Sequence, residues 1–168
     1  MTLAREWARC CPRAGLSSVA AIALGSNLGD RAASLAFAVA RLNRLLTNLR
    51  VSSTIETEPV GVPDTQPRFL NAAAVGETGL SARTLLAALL DIEREGGRER
   101  PHPGAARILD LDLILLGDTI VLEPDLVVPH PRFRERRFVL DPLAEIAPGL
   151  RDPVSGRTIA ELRGLLGD

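Results

Sequence analysis

The sequence predicts an α+β fold in which an antiparallel sheet carries helices on one face. Short aliphatic stretches with alternating polarity indicate strands, and two longer stretches repeat apolar residues at the helical period of 3.6. In chain order these elements read strand, helix, strand, strand, helix, strand. This is the split β-α-β order of ferredoxin-like folds, βαββαβ. An extra C-terminal hairpin and short helices are expected after this core.

The first half of the predicted core begins with an aliphatic strand over 19–24 that ends in a polar turn. Asp30 is expected to cap a helix, because a carboxylate accepts from free amides of a first helical turn. The apolar face of this helix comprises Leu35, Val39, Leu42, Leu45, Leu46 and Leu49. Alternation predicts a second strand over 51–57 and a third over 69–75. The loop between them, 58–68, is rich in proline and glycine.

The second half begins with a helix capped by Ser81 and stopped by Gly96-Gly97. Its apolar face comprises Leu85, Leu86, Leu89 and Ile92. A loop of glycine, proline and charged residues, 98–106, leads into a strand over 107–116. We expect 119–122 to return as the antiparallel partner of that strand. The chain then holds a short basic segment over 127–137 and a terminal helix over 158–166.

The length of 168 residues suits a single domain with one core. Residues 1–18 show weak periodicity, and we expect a poorly ordered extension ahead of one domain over 19–168. No run approaches the 18 apolar residues of a membrane span, so we expect a cytoplasmic protein without a membrane partner. A monomer is also expected.

The composition excludes several kinds of chemistry. All 20 basic residues are Arg, so the lysine of a phosphate-binding P-loop and any Schiff-base mechanism are absent. With two His in the chain, a metal would have to be held by oxygen, which favours Mg²⁺ or a similar hard cation. A net charge of −1 argues against a general nucleic-acid binder.

Two carboxylates share one face of the strand over 107–116. Side chains alternate along a strand, so Asp110 and Asp112 point to one face. We expect Leu109, Leu111, Leu113 and Leu115 on the opposite face, packed against the helices, and an open ligand face around the carboxylates. Two like charges so close repel each other, and a divalent cation between them would relieve that repulsion. On these residues alone, an ordinary polar face in contact with water is the alternative.

Arginines surround this strand in the sequence. The seven are Arg98, Arg100, Arg107, Arg132, Arg134, Arg136 and Arg137. Two carboxylates, Mg²⁺ and several guanidinium groups together can hold a polyphosphate and stabilise a transferring phosphoryl group. The alternative for Arg132 and Arg134 is a solvated helix face. His130 could donate to a phosphate or cap a turn.

A flat ligand is indicated by the third predicted strand. Phe69 could stack on a heterocycle, and Asn71 on the same strand face could read its edge. Core packing is the alternative for Phe69.

Taken in order, these stretches resemble the 6-hydroxymethyl-7,8-dihydropterin pyrophosphokinase family of folate biosynthesis, over about residues 19–166. The matching motifs are Ala-Leu-Gly-Ser-Asn-Leu-Gly-Asp at 23–30, Glu-Thr-Glu-Pro-Val-Gly at 56–61, Gln-Pro-Arg-Phe-Leu-Asn at 66–71, Ile-Glu at 92–93, Leu-Asp-Leu-Asp at 109–112, and Val-Pro-His-Pro at 128–131 followed by Arg136 and Phe138. The resemblance implies a ferredoxin-like enzyme that transfers the β,γ-diphosphate of ATP to the hydroxymethyl group of the pterin and releases AMP.

The resemblance also implies roles for individual residues. Two Mg²⁺ ions would be held by Asp110 and Asp112, and the catalytic set would be Arg98, Arg107, Asp110 and Asp112. ATP would be bound by Glu93, Arg98, Arg100, Arg107, His130 and Arg136. The pterin would be bound by Thr57, Val60, Phe69, Asn71 and Phe138, with Asp112 nearby.

One loop departs from the family pattern. Relatives often carry Trp-Gly-Pro-Arg before the Asp strand, whereas this chain reads Pro-His-Pro-Gly-Ala-Ala-Arg over 101–107. In the family this loop closes over both substrates, so the resemblance implies that the missing aromatic ring weakens pterin retention or speeds product release.

Two other functions are consistent with parts of the sequence. One is a binding module that retains ATP and pterin sites but turns over poorly. The other is a ferredoxin-like RNA-binding domain that uses Phe69 and the arginines, although the paired carboxylates would repel phosphates on that face.

Overall fold

A computed structural model of the chain describes residues 17–59, 65–97 and 106–167. Its strands are β1 (Ser18–Ser26), β2 (Thr47–Val51), β3 (Ile55–Thr57), β4 (Phe69–Thr78), β5 (Asp110–Leu116), β6 (Val121–Glu123) and β7 (Leu126–Val128). Its helices are α1 (Arg31–Leu42), α2 (Ala82–Glu95), α3 (Arg137–Ile146) and α4 (Ile159–Leu165). Outside the described residues lie 1–16 of the expected extension, Val60, Arg98, Arg100 and the loop residues 101–105.

The main sheet is antiparallel with strand order β2-β4-β1-β5, and β3 extends it by pairing with β4. This order confirms the ferredoxin-like βαββαβ core. β1 lies between β4 and β5, so its Ile22 and Leu24 side chains are almost fully buried. β6 and β7 form a separate two-stranded hairpin.

Helices lie on both faces of the sheet. α1 and α2 pack against Ile22, Leu24 and Leu111 on one face, as expected. α3 and α4 pack against Ala21, Val75 and neighbouring residues on the other. The face that we expected to be open is therefore covered by α3 and α4 over Ala21 and Val75 and is open around the carboxylates. The sequence pattern predicted no helix at α3, because its interior contains Pro142, a residue that disfavours a helix there.

A bulge in β5 changes the expected alternation. Ile22 pairs with Leu113 but Ala21 pairs with Leu115, so Ile114 is an extra residue in the strand. Leu113 therefore packs on the α1/α2 face, whereas Leu115 packs against α3 and α4. The expectation that Leu115 shares a face with Leu109 is wrong, since the inserted residue reverses the alternation beyond it.

The predicted second strand over 51–57 is two strands in the structure. Between β2 and β3 the Ser52 hydroxyl accepts from the Ala73 amide at 2.9 Å, replacing a backbone acceptor of the ladder. The first helix ends at Leu42, and Leu46 and Leu49 follow in the turn and in β2, although they still pack in the same core. Asn48, the second residue of β2, has a φ of +52° and lies in the register shift of β2 against β4 between Thr47 and Arg50.

The expected hairpin between β5 and 119–122 is also wrong. Gly117, with a φ of +51°, turns the chain away, and β6 pairs with β7 instead. The β5 edge is partly occupied by His130, whose amide donates to the Ile114 carbonyl at 2.9 Å.

Helix caps follow the local sequence closely. The side chains of Asp30, Ser81 and Thr158 each accept from a backbone amide in the first turn of α1, α2 and α4. Across the three described ranges, every helix is too short or too polar to cross a membrane.

Candidate active site

The open part of the sheet carries a row of residues from three neighbouring strands. Gly25 in β1 pairs with Asn71 in β4 on one side and with Asp110 in β5 on the other. In the next row on the same face, Ala23 pairs with Ala73 and Asp112. The small residues of β1 thus form a floor between an amide and two carboxylates. Strand spacing places Asn71 and Asp110 roughly 10 Å apart at their backbones.

Each carboxylate has an arginine beside it. The Nη1 atom of Arg107 lies 2.5 Å from Asp110 Oδ2, and Nη1 of Arg136 lies 4.0 Å from Asp112 Oδ2. The Asp110 side chain is 18% exposed and that of Asp112 is 36% exposed. Both acids therefore remain accessible to a ligand while positive charge compensates them.

Asn27 holds the backbone of Arg107 in place. Its side-chain Oδ1 accepts from the backbone amide of Arg107 at 2.7 Å, and its backbone amide donates to the Arg107 carbonyl at 3.0 Å. Its Nδ2 donates to Gln66 Oε1 at 3.1 Å. Asn27 is only 1% exposed, so these contacts connect β1, the loop before β4 and the segment before β5 in a buried position.

Glu93 supports β5 from the α2 side. Its Oε1 accepts from the Leu111 amide at 2.6 Å, and the residue is 1% exposed. Because Leu111 stands between Asp110 and Asp112, this contact holds the part of the strand that carries both acids.

A cleft of about 270 Å³ opens beside Asp112. Its walls are Leu86, Asp112, Leu113, Pro124, Asp125, Leu126, Val127, Val128, His130 and Pro131. The lining is mainly apolar, with Asp112, Asp125 and His130 as its polar side chains. Such a cleft can receive the flat, largely apolar part of a ligand while the charged part of that ligand lies beside the carboxylates.

His130 is held as a neutral imidazole at this cleft. Burial lowers its pKa to about 4, and the charges of Arg136 and Arg132 add to this effect, against an opposing influence of Asp110. Its Nδ1 accepts from the Arg132 amide at 3.3 Å. The turn-capping alternative is thus realised through Nδ1, while Nε2 is left to donate toward a ligand.

Arg136 connects the carboxylates to the first turn of α3. Its guanidinium carbon lies 5.5 Å from the centroid of the Phe138 ring. Burial lowers the pKa of Arg136, and Asp112 opposes that change. The structure thereby groups Asp112, Arg136 and Phe138.

On the other side of Gly25, an amide is oriented by a hydroxyl. Asn71 Nδ2 donates to Thr57 Oγ1 at 2.7 Å, which leaves Asn71 Oδ1 directed toward β1. A Cβ built on Gly25 would lie 3.3 Å from Asn71 Oδ1 and 3.8 Å from Phe69 Cδ1. Thr57, Phe69 and Asn71 therefore meet over Gly25. Phe69 is half-buried at this face and is not part of either hydrophobic core.

Gly25 is the site residue that sequence reasoning read as a turn. The structure extends β1 to Ser26, so Gly25 lies inside a strand. A glycine within a strand pattern can mark a close approach of another group, and that was the available indication.

Other expected arginines have different partners. Arg134 binds the fully buried Asp152 through two hydrogen bonds of 2.7 and 2.8 Å, and Arg137 pairs with Asp141 at 3.5 Å. Arg132 is exposed. Of the seven arginines, the structure thus places Arg107 and Arg136 at the carboxylates, while Arg98 and Arg100 lie outside the described residues.

The donor set fits a hard cation that is shared with a ligand. Within the described ranges there is no cluster of three His, Cys, Asp or Glu side chains able to hold a metal. Two carboxylates on one strand face suit Mg²⁺, which commonly binds one or two protein carboxylates and completes its shell with phosphates and water.

Comparison with known proteins agrees with this geometry. The family model for 7,8-dihydro-6-hydroxymethylpterin-pyrophosphokinase (HPPK) matches residues 21–148. A Bacillus subtilis 2-amino-4-hydroxy-6-hydroxymethyldihydropteridine pyrophosphokinase is 46% identical over 133 residues, covering 78% of this chain and 79% of that protein. The Pseudomonas aeruginosa protein of the same name is 42% identical over 143 residues, covering 84% and 87%.

A solved structure shares the fold. Wild-type Plasmodium falciparum HPPK-DHPS superposes with a TM-score of 0.72 at 15% identity, and the match covers 92% of this chain. This chain spans 45% of the length of that protein. The resemblance read from the sequence motifs is confirmed, and the chain belongs to the 7,8-dihydro-6-hydroxymethylpterin-pyrophosphokinase family.

Proposed function

We propose that this chain transfers the β,γ-diphosphate of ATP to the hydroxymethyl group of 6-hydroxymethyl-7,8-dihydropterin in folate biosynthesis and releases AMP. The observation that carries the proposal is the row Asn71, Gly25 and Asp110. It places a group able to read a heterocycle and a group able to serve a phosphate on one open floor. Family membership supports both substrates.

Asp110 and Asp112, with Arg107 and Arg136 beside them, would bind the phosphates; we call these four residues the phosphate centre. Asp110 and Asp112 would hold Mg²⁺, two ions in the full complex, which would neutralise charge on the diphosphate being transferred. Arg107 and Arg136 already lie beside these acids and would bind the phosphate oxygens. We assign Arg98 and Arg100 to the same phosphates on the basis of the resemblance.

The nucleotide would occupy the cleft beside Asp112. Its apolar walls suit a purine, and the neutral His130 can donate a hydrogen bond from Nε2 to a phosphate oxygen. Glu93 is buried behind β5, and its contribution to ATP binding would be to hold the strand through Leu111.

The pterin would bind over Gly25. Phe69 would stack on the ring, and Asn71 would read the edge in the orientation that Thr57 imposes. Phe138 would cover the ring from the side of Arg136, and Val60 would contribute from the loop before β4. Thr57, Phe69 and Asn71 together form the surface that we call the pterin wall. The hydroxymethyl group would then lie toward β5, between this wall and the carboxylates.

The reaction requires positioning more than covalent chemistry. The pterin hydroxyl oxygen forms a bond to the β-phosphorus, and the bond from that phosphorus to the oxygen bridging it to the α-phosphate breaks. AMP leaves with that oxygen, and the hydroxyl proton passes to water. Arg107 and Arg136 stabilise the charge that spreads over the transferring group. The floor of β1 keeps the two reacting groups at one distance.

AMP formation tests the proposal. The protein is incubated with Mg²⁺, ATP and 6-hydroxymethyl-7,8-dihydropterin, and AMP and the diphosphorylated pterin are measured by chromatography. We expect both products in equal amounts, with neither formed when the pterin is omitted. Binding of both substrates without AMP would support the binding-module alternative. Failure to bind either ligand would overturn the enzyme assignment.

The RNA-binding alternative is disfavoured by the same face. Asp110 and Asp112 stand on the floor that Phe69 adjoins, and without a bound metal ion their charge would disfavour an RNA phosphate there. We further propose that the chain acts as one cytoplasmic, monomeric domain, whose start, predicted at residue 19, lies at Ser18, the first residue of β1. Size-exclusion chromatography with light scattering would test the oligomeric state.

A further inference from the structure

Arg31 connects the start of α1 to the base of the loop over 58–68. Its Nη2 donates to Glu56 Oε1 at 2.6 Å, and its Nη1 donates to the Arg68 carbonyl at 2.8 Å. Arg31 is the first residue of α1, and its side chain is 31% exposed. One guanidinium group thus holds both strands from which this loop emerges.

The two contacts fall next to the pterin wall. In the β3–β4 ladder Thr57 pairs with Phe69, and Glu56 pairs with Leu70. Glu56 directly precedes Thr57 in the chain, and Arg68 directly precedes Phe69. Arg31 therefore holds the backbone immediately beside the two residues proposed to contact the pterin.

β3 is a short strand of three residues, and among the described residues it pairs with β4 alone in the main sheet. Within that ladder the Thr57 hydroxyl also accepts from Asn71 Nδ2. The Glu58–Arg68 pair at 2.5 Å also crosses the base of the loop, but both side chains are more than 60% exposed. Such exposed pairs contribute little. A bond from a guanidinium group to a backbone carbonyl fixes position more firmly, since a carbonyl lacks rotamer freedom.

We propose that Arg31 is a positioning residue for pterin binding, which it promotes by holding Thr57 and Phe69 in place through Glu56 and the Arg68 carbonyl. The identity of the ligand rests on the proposed function. ATP affinity is independent of this link, because the cleft beside Asp112 lies on the other side of β1.

Separate binding measurements test this role. Dissociation constants for 6-hydroxymethyl-7,8-dihydropterin and for a non-hydrolysable ATP analogue are measured by calorimetry, together with KM and kcat. Arg31→Gln should raise the pterin dissociation constant and KM roughly tenfold, the equivalent of about one charge-assisted hydrogen bond. The affinity for the ATP analogue should stay within about twofold.

A matched control comes from the same helix. Arg41 has a similar exposure of 34% and an ion pair with Glu95, and its other interaction in the described part of the chain is with the Phe37 ring of α1 rather than with the β3–β4 hairpin. Arg41→Gln should leave the pterin constant unchanged. An equal loss in Arg41→Gln would show a general effect of removing charge from α1 and would overturn the proposal.

A double variant and a lysine replacement distinguish a positioning role of Arg31 from a general effect on stability. If Arg31 acts through Glu56, Arg31→Gln with Glu56→Gln should be little worse than Arg31→Gln alone. Arg31→Lys should recover part of the pterin affinity, because it restores one of the two contacts. Should Arg31→Gln fail to fold, Arg31→Lys and Glu56→Gln carry the test.

Equal weakening of pterin and ATP-analogue binding, or pterin binding by Arg31→Gln within twofold of the unchanged chain, would refute the positioning role. These outcomes differ from failure of the proposed function, in which the unchanged chain itself would not bind the pterin or form AMP.

Discussion

Arg107 and Asp110 lie three residues apart and meet at 2.5 Å across the start of β5. Asn27 fixes the Arg107 backbone, and the β1–β5 ladder fixes that of Asp110. Neither partner therefore needs a large backbone movement to face a phosphate. The pair presents a guanidinium group and a carboxylate at the same point, which suits a bound polyphosphate with its cation.

Removing either carboxylate charge should abolish most turnover without unfolding the protein. We expect Asp110→Asn and Asp112→Asn to reduce the rate of AMP formation by about 10²-fold or more, because each removes an anionic ligand from the phosphate centre. Circular dichroism and thermal melting should remain close to those of the unchanged chain. Asp118→Asn, at an exposed turn, is the control. Unchanged AMP formation in either variant would disprove the assigned role.

Replacing Arg107 with Lys should separate charge from geometry. Lysine keeps the positive charge but lacks the planar fork that can bind Asp110 and a phosphate oxygen together. We expect Arg107→Lys to lower kcat by roughly 10- to 100-fold, with a smaller change in KM for the pterin. Arg163→Lys, whose Arg pairs with Asp141 at 3.0 Å, serves as the control. A kcat equal to that of the unchanged chain would indicate that the charge alone suffices.

The hydroxyl of Thr57 should control pterin recognition by Asn71. Thr57→Val keeps the shape of the side chain but removes the acceptor for Asn71 Nδ2, so the amide loses its fixed orientation. We expect a roughly 5- to 20-fold rise in the pterin dissociation constant, measured by fluorescence titration. Thr57→Ser retains the hydroxyl and should stay near the original value. Equal behaviour of both variants would contradict the orienting role.

A methyl group at Gly25 should obstruct the pterin wall. The new Cβ of Gly25→Ala would lie 3.3 Å from Asn71 Oδ1, so the amide would have to shift. We expect KM for the pterin to rise about 3- to 10-fold, equal to roughly 1 kcal/mol, with ATP affinity unchanged. Gly149→Ala, with no atom within 4 Å of its added Cβ, is the matched control. A pterin KM unaffected by Gly25→Ala would place the ring elsewhere.

Acid should weaken the C-terminal region through Asp152. Burial alone would raise the pKa of Asp152, but hydrogen bonds from Arg134, Ser155 and the Val154 amide outweigh it and lower the pKa to about 2 from the usual 3.8. Because the folded pKa lies below the unfolded one, the carboxylate stabilises the fold fully above about pH 4. We expect this contribution, about 2 kcal/mol, to be lost as the pH falls toward 2.

Urea unfolding between pH 2 and 7 measures that loss. Asp152→Asn should lower the free energy of unfolding at pH 7 by about 3 kcal/mol, since it leaves Arg134 without its buried charge partner. It should also remove most of the decrease in unfolding free energy between about pH 4 and pH 2. Asp141→Asn, which removes a half-exposed partner of Arg137 and Arg163, should cost less than about 1 kcal/mol. If the unfolding free energy of Asp152→Asn still fell between about pH 4 and pH 2 as in the unchanged chain, Asp152 would not be the cause of the acid sensitivity.

Local patterns in the sequence were sufficient for much of the fold. The caps at Asp30, Ser81 and Thr158 depend on contacts within one helical turn, so the residues beside them are enough to predict them. Alternation placed Asp110 and Asp112 on one face, because the two residues precede the bulge. The family motifs indicated ATP and the pterin as substrates, which the periodicity of the sequence could not indicate.

Long-range contacts decided the rest. The bulge at Ile114 turned Leu115 to the other face, and α3 and α4 covered part of the surface that alternation alone left open. Arg31 meets Glu56 across 25 residues, and Arg134 meets Asp152 across 18. Period and capping are set by neighbouring residues, whereas strand register and ion-pair partners depend on how distant segments pack. The sequence by itself thus determined which elements form and where the acids point; the tertiary structure decided what stands beside them.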